Sequence, residues 1–500
     1  MHAPTPEQQN AIDAFRTDRD LVIQAGAGTG KTSTLRLLAQ AAPRRRGMYI
    51  AYNKAIATEA ARSFPRQVSC STAHSLAYRA VGWQYKDRLG GPRQPARTAA
   101  QILGITEPLA VGAGKILAPA QLARITLRTV ARFCSTADAA IELFHVPETK
   151  GLDEPATVTA LREVITPLAR AAWGDITAPR GRLRFTHDYY LKLWQLSYPR
   201  LPVDYVLLDE AQDADPVIAS IVGNQHHAQR IAVGDSAQAI YEWRGAINAM
   251  AKWPGTRLVL SKSFRFGPAL AAEANRWLDL VDAPLRLTGH EPLATRIGAL
   301  DAPEAILVRS NAGAIRELIR AIAEHRRAAL VGGGDAIRSL ASAAQSLKAG
   351  RGTEHPELFA FTTWGEVQEY VEHDEAGADL KTFVTLIDDF GPDTVIDALD
   401  HLVDEPDPSR PGPAAAAVTI STAHKAKGRE WDTVRISDDF HEPRRTADGE
   451  HLPVNPGEAR LAYVAITRAR RVLDRGSLAW IDGYNPAPDP HTNPGTSRRH

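Results

Sequence analysis

Residues 21–32 read LVIQAGAGTGKT. The apolar run Leu21-Val22-Ile23 has strand character, the glycines make a tight turn, and Ser33 to Ala42 favours a helix. That is the strand, loop, helix order of a phosphate-binding loop. Gly26, Gly28 and Gly30 let the backbone turn so that several N–H groups face one anion. The helix that follows points its positive end at the same place. Lys31 adds a point charge suited to the β- and γ-phosphates, and the Thr32 hydroxyl suits Mg²⁺. Ala25 stands where GxxxxGK[ST] has its first glycine. The expected cradle is Ala25, Gly26, Ala27, Gly28, Thr29, Gly30, Lys31 and Thr32.

Residues 204–213, DYVLLDEAQD, carry the second strong signal. The apolar stretch Tyr205–Leu208 reads as a buried strand that delivers Asp209 and Glu210 at its carboxyl end. One carboxylate suits Mg²⁺, held through water, and its neighbour suits the attacking water.

Other stretches repeat the plan of a strand ending in polar residues, where α/β sheets bind ligands. MYIAY runs into Asn53-Lys54, and VSCSTAHSLAY carries Thr72 and His74. IAVGDSAQAIYEWRGA places Gln238 to sense a γ-phosphate. In the same stretch Tyr241 and Trp243 offer flat faces for bases, worth about 1–3 kcal/mol each, and Arg244 can reach phosphate. Upstream of the phosphate loop, Thr5 and Pro6 read as a helix start, and Gln8 can present its amide to an adenine edge. Residues 85–200 read as mostly helical. Their cluster Arg180, Arg182, Arg184, Phe185, Tyr189, Tyr190 and Trp194 fits a nucleic-acid face and an ordinary amphipathic helix equally well. Residues 406–413, PDPSRPGP, read as a linker.

The chain has 500 residues and a formal net charge of +1, so any basic groove must be local. With two cysteines, Cys70 and Cys134, a disulfide framework or a Cys-based zinc site is not indicated. No apolar run is long enough to span a bilayer, and MHAPTPEQQN lacks a signal-peptide pattern. The expectation is a cytoplasmic protein without a membrane partner, nucleoid-associated if bacterial.

The motifs, in this order, resemble the superfamily 1 helicases of the UvrD/Rep class, in particular the helicase core of the F-box DNA helicase. AYNKAIATEA, STAHSLAY, VGDSAQAIYEWRGA, STAHKAKGREW and LAYVAITRARR carry the likeness. It implies an α/β fold with two RecA-like P-loop motor domains and helical insertions. The expected division is 1–84 with 200–260 for the first domain and 85–199 for its helical insertion. The second domain would take 261–334 with 414–483, a short helical insertion 335–413, and 484–500 would be a disordered tail. The resemblance implies ATP and Mg²⁺ as cofactors, with Thr32 and Asp209 on the metal and Glu210 on the water. Gln8 would contact adenine, Phe264 would stack on it, and Glu430 would approach the ribose or the nucleotide edge. Gln238 would report the γ-phosphate, and Arg265 and Arg468 would be arginine fingers. Tyr52, Asn53, Thr72, His74, Tyr241, Trp243, Arg244, Arg309 and His424 would line single-stranded DNA. The implied activity is 3′→5′ helicase or translocase work on single-stranded DNA and duplex junctions, in repair, recombination or replication, with a monomer as the working unit. The alternative is an ATPase, stimulated by single-stranded DNA, that strips proteins from DNA with little unwinding. Ser33 stands where the class often has an arginine beside the adenine, and the insertion between Asn311 and Val418 is short for the class.

Overall fold

The strand that feeds the phosphate loop, β1 (Leu21–Ala25), is buried along its whole length. That suits a parallel strand covered on both faces. The computed structural model describes residues 3–92, 94–111, 115–149, 151–152, 154–240, 249–373, 378–405 and 417–486. The chain divides into two units: Met1–Ala25 with Gly30–Leu260 and Ala343–Val384, and Gly26–Thr29 with Ser261–Ser342 and Thr385–His500.

In the first unit β1 is followed by β2 (Gly47–Ala51), β3 (Val68–Thr72), a short hairpin of β4 (Leu109–Val111) and β5 (Lys115–Leu117), β6 (Tyr205–Leu208), β7 (Gln229–Gly234) and β8 (Thr256–Leu260). Six of these form one sheet in the order β3-β2-β6-β7-β1-β8, and every pairing in it is parallel. All six carboxyl ends therefore lie on one edge, which is why polar residues far apart in sequence can meet there.

Side chains alternate between the two faces of the sheet. Leu21, Ile23, Tyr49, Leu207, Ile231 and Val233 share one core with Phe15, Leu35 and Leu38. Val22, Met48, Ile50, Val206, Leu208 and Ala232 face a second core. That second core continues into the helical segment between β3 and β6 through Phe133, Ile165, Phe185 and Trp194. The insertion is thus fused to the sheet rather than tethered to it. Phe359 joins the same core, and its carbonyl accepts from Gln121 Nε2 at 2.9 Å. This explains why residues 343–384, remote in sequence, group with the first unit.

The second unit repeats the plan. Its strands are β9 (Arg296–Ile297), β10 (Ala305–Val308), β11 (Ala328–Leu330), β12 (Val418–Thr422), β13 (Trp431–Ile436) and β14 (Ala469–Asp474). They order as β11-β12-β10-β13-β14-β9, again all parallel. Helix Pro456–Ile466, which precedes β14, is buried on nearly every side. Among the described residues no helix is long and apolar enough to cross a membrane. The linker expected at 406–413 and all but the first residues of the expected tail lie outside the described residues.

Candidate active site

Helix Lys31–Ala41 begins at the residue that closes the phosphate motif. Its N-cap, Gly30, is left-handed at φ +80° and supplies no side-chain cap. The first-turn N–H groups thus remain available for an anion, where the helix dipole favours one. Gln8 is buried beside this turn: its Nε2 donates to Thr34 Oγ1 at 3.1 Å, and its Oε1 accepts from the Thr5 N–H at 3.0 Å. Thr5 caps helix Pro6–Phe15, so the predicted helix start is also what holds Gln8 beside the loop.

Lys31 Nζ lies 3.2 Å from Glu210 Oε1. Burial pulls the lysine pKa down, but the carboxylates of Glu210, Asp235 and Asp209 outweigh it, and the net shift is upward. Thr32 Oγ1 donates to Asp209 Oδ2 at 3.2 Å. Burial, and then the charge of Glu210, raise the Asp209 pKa; the Tyr49 hydroxyl opposes them. The hydroxyl of Thr32 and the carboxylate of Asp209 can therefore reach one hard cation. A single carboxylate plus a hydroxyl fits Mg²⁺, which keeps several waters and takes its remaining ligands from substrate phosphates.

Glu210 adopts φ +51°, a left-handed conformation that costs a non-glycine residue about 1–3 kcal/mol and recurs at functional sites. It is held from both sides. Its N–H donates to Asp209 Oδ1 at 2.9 Å, and its Oε2 accepts from Gln212 Nε2 at 2.6 Å. Gln212 Oε1 in turn accepts the Asp235 N–H at 3.0 Å, and Asp235 Oδ2 accepts from Gln238 Nε2 at 2.7 Å. Gln212, Asp235 and Gln238 are all buried. A continuous chain of hydrogen bonds therefore runs from the acidic pair at the end of β6 to Gln238 beyond the end of β7. Gly234 makes room for it, because a Cβ there would overlap Gln212 Oε1.

Of the residues expected along the single strand, Tyr52, Asn53, Thr72 and His74 lie at or just beyond the ends of β2 and β3 on the same sheet edge. Asn53 Oδ1 accepts the Ile56 N–H at 2.9 Å, and Thr72 Oγ1 accepts the Ser75 N–H at 3.1 Å, so each caps its own helix. His74 Nε2 lies 3.3 Å from Asp188 Oδ1, and Tyr52 is 59% exposed. Tyr52, His74, Asp209 and Glu210 share one cavity of about 590 Å³. Within the first unit the structure thus brings Tyr52 and His74, expected along the strand, and the acidic pair to a common wall.

In the second unit the Phe264 N–H donates to Gly28 O at 2.8 Å, and the Ala27 N–H donates to Tyr463 OH at 3.1 Å. The Phe264 ring is 44% exposed. Arg265 Nε donates to Glu430 Oε2 at 2.7 Å and its guanidinium also donates to Thr467 O at 3.1 Å. Arg468 is buried: it donates to Val464 O at 2.8 Å, Arg429 O at 3.3 Å and Thr467 Oγ1 at 2.9 Å. Arg265, Glu430 and Arg468 thus meet around Thr467. Arg309 forms a two-pronged pair with Glu458 at 2.8 and 2.7 Å. His424 is half-buried just beyond β12. Tyr241, Trp243 and Arg244 lie outside the described residues.

A family model described as a UvrD-like helicase C-terminal domain matches residues 337–474, and one described as an AAA domain matches residues 8–244. The chain belongs to the UvrD-like helicases of superfamily 1. Among its relatives is F-box DNA helicase protein 1 of Schizosaccharomyces pombe, 31% identical over 518 residues that cover 94% of this chain and 57% of that protein. F-box DNA helicase 1 of Gallus gallus is 30% identical over 503 residues, covering 94% of this chain and 48% of that protein. The chain spans about half the length of these relatives. The two parallel-sheet units are the RecA-like motor domains of this helicase family.

Three residues that sequence reasoning gave no role join this cluster. Tyr49 OH donates to Asp209 Oδ2 at 2.6 Å, and burial, then the Asp209 charge, push its own pKa up. Gln212 and Asp235 join Glu210 to Gln238. Gln212 and Asp235 stood inside quoted motifs, but nothing in the spacing paired them. Tyr49 sits in an apolar strand where an aromatic reads as core.

Tyr49→Phe removes the hydroxyl that orients Asp209 and leaves the ring in its core. Loss of such an outer partner costs roughly 10–100-fold in metal affinity or activity. The Mg²⁺ concentration for half-maximal ATPase should therefore rise about tenfold; an unchanged Mg²⁺ titration would count against the assignment. Gln212→Ala cuts the chain between Glu210 and Asp235. Hydrogen bonds to charged groups contribute about 1.5–3 kcal/mol, so maximal ATPase should fall roughly 10–100-fold. An unchanged rate would show that the chain does not matter to turnover.

Proposed function

We propose that the chain is an ATP-dependent DNA translocase and helicase acting on single-stranded DNA, moving 3′→5′ as the resemblance implies. The observation that carries this reading is the cluster at the carboxyl edge of the first sheet. There Lys31 faces Glu210 at 3.2 Å while Thr32 and Asp209 share a hydrogen bond of 3.2 Å. These are the parts that phosphoryl transfer to water requires: a cationic cradle, a metal seat and a base.

Thr32 and Asp209 would hold Mg²⁺, which would supply Lewis-acid stabilisation of the phosphates. The first-turn N–H groups of helix Lys31–Ala41 and the Lys31 ammonium take the phosphate charge. Glu210 is paired with Lys31. A γ-phosphate competes for that ammonium, and Glu210 is then free to orient a water and accept its proton. Gln212 and Asp235 pass the position of Glu210 to Gln238, and Arg265 and Arg468 keep the arginine-finger roles that the resemblance implies. Phe264, with its exposed ring, serves the base, and Tyr52, Asn53, Thr72, His74, Arg309 and His424 serve the strand. The domain boundaries read from the sequence, 1–84 with 200–260 and 261–334 with 414–483, are retained in this proposal for the two motor domains.

The test is the ATPase rate with and without single-stranded DNA, followed by strand displacement on duplexes with 3′ or 5′ tails. Stimulation by single strands and displacement only from a 3′ tail are expected. ATP turnover indifferent to DNA would overturn the reading.

A further inference from the structure

Gln24, the next-to-last residue of β1, stands one position before the phosphate cradle. Every other residue of that strand is apolar. Gln24 is 8% exposed, and among the described residues nothing accepts a hydrogen bond from its Nε2. Native structures hold few buried donors of this kind, and those that persist call for a reason in the chemistry.

The sheet register fixes where the amide stands. Gln24 is paired with Gly234 on β7 and Val259 on β8, and side chains at paired positions of a parallel sheet share a face. Val22, two residues back, lies on that face too, in one core with Met250 and Trp253. Neither Val22 nor Val259 has a side-chain acceptor. Gly234 has no side chain, and the space beside it is taken by Gln212: a Cβ there would overlap Gln212 Oε1 and crowd Met250 Sδ. The amides of Gln24 and Gln212 therefore occupy one face of the sheet, a single strand spacing of about 4.8 Å apart. Gln212 Oε1 has room for a second donor. Its one hydrogen bond among the described residues comes from the Asp235 N–H at 3.0 Å, and an amide oxygen carries two lone pairs.

We infer that Gln24 is a positioning residue for Glu210: in the ATP-bound site its Nε2 donates to Gln212 Oε1. Gln212 Nε2 donates to Glu210 Oε2 at 2.6 Å, so the added bond ties the strand that enters the phosphate loop to the group that orients the water. A γ-phosphate that takes the Lys31 ammonium releases Glu210. The Gln212 amide follows the carboxylate, and Gln24 fixes it in the new position. The chain from Glu210 to Gln238 thus gains an anchor on β1. The inference rests on ATP turnover at this site and is independent of the DNA reading.

Gln24→Leu and Gln24→Met remove the donor and leave an apolar side chain among apolar neighbours; the methionine also keeps the length. Steady-state ATPase, thermal unfolding of the full chain and a double-mutant cycle with Gln212→Ala test the inference. Loss of one neutral hydrogen bond should lower kcat about three- to tenfold in both variants. KM for ATP should stay within about twofold of wild type, since the contact is made after the nucleotide is bound. The melting temperature should hold or rise, because a buried donor without a partner has been removed. Gln24→Leu combined with Gln212→Ala should be no slower than Gln212→Ala alone, the mark of two residues acting through one contact. Wild-type kcat in both variants overturns the inference. So does a fall in kcat with a lower melting temperature in both, which is a packing role, and so does a double variant whose losses multiply, which places Gln24 outside the chain. A wild-type ATPase that ignores single-stranded DNA would overturn the translocase reading and leave this one standing.

Discussion

Lys31→Ala should abolish ATP turnover while leaving binding of single-stranded DNA within a few-fold of wild type. The residue sits at the start of its helix with Glu210, Asp235 and Asp209 as its dominant charge neighbours. Removing it subtracts the one side-chain cation the cradle offers to the phosphates. A single preorganised donor contributes about 10²–10³ in rate, and a full charge on a phosphoryl group contributes more. Turnover should thus fall by on the order of 10³-fold or beyond. The lost cation also leaves the negative charge of Asp209 and Glu210 uncompensated beside the phosphates, so ATP binding weakens together with kcat. Measurement needs a steady-state ATPase assay and a filter-binding or anisotropy titration with single-stranded DNA. Retained turnover would remove Lys31 from the role given to it, and lost DNA binding would show that the substitution acts through folding.

What could be read from the residues follows from the kind of sheet this chain builds. Parallel strands covered on both faces are near-continuous apolar runs, so LVI at 21–23, YVLL at 205–208 and AILV at 305–308 declare themselves. Their carboxyl ends share one edge, so the polar residue after each run can be assigned to a site before any contact is known. Contacts between neighbouring strands could not be read this way. Tyr49 lies on β2 and Asp209 beyond the end of β6, and their hydrogen bond exists because β2 and β6 are adjacent in the sheet. The bond from Gln212 to Asp235 likewise depends on β6 lying beside β7. Composition also misleads where amphipathic and binding surfaces share residues. Aromatics and arginines interleave at 180–194, yet only the arginines face solvent, since the aromatics complete the core under the sheet. The grouping of residues 343–384 with the first unit was equally silent, because it depends on Phe359 packing into a core whose other buried members all lie at or before Trp253.

Glu210→Gln should separate chemistry from binding, which Lys31→Ala does not. The amide is isosteric with the carboxylate, so the left-handed backbone at φ +51° and the contact to Gln212 need not change. It cannot take a proton from water, and a positioned base contributes about 10²–10⁴ in rate. The maximal ATPase rate should fall by that factor. ATP affinity should move the other way. The Glu210 carboxylate lies 3.2 Å from Lys31, and a γ-phosphate competes with it for the ammonium. A neutral amide competes less well for the ammonium, so ATP should bind several-fold more tightly, at the scale of a charge-assisted hydrogen bond of about 1.5–3 kcal/mol offset by partial exposure. Opposite signs in the two quantities are the mark of a base that also competes with ATP for the Lys31 ammonium. If affinity and rate fell together, Glu210 would belong to the nucleotide's binding shell. If the rate stayed within about tenfold of wild type, below the range expected for a general base, another group would have to be holding the attacking water; Asp213, whose Oδ2 accepts from the same Gln212 amide at 3.0 Å, is the nearest candidate on this sheet edge.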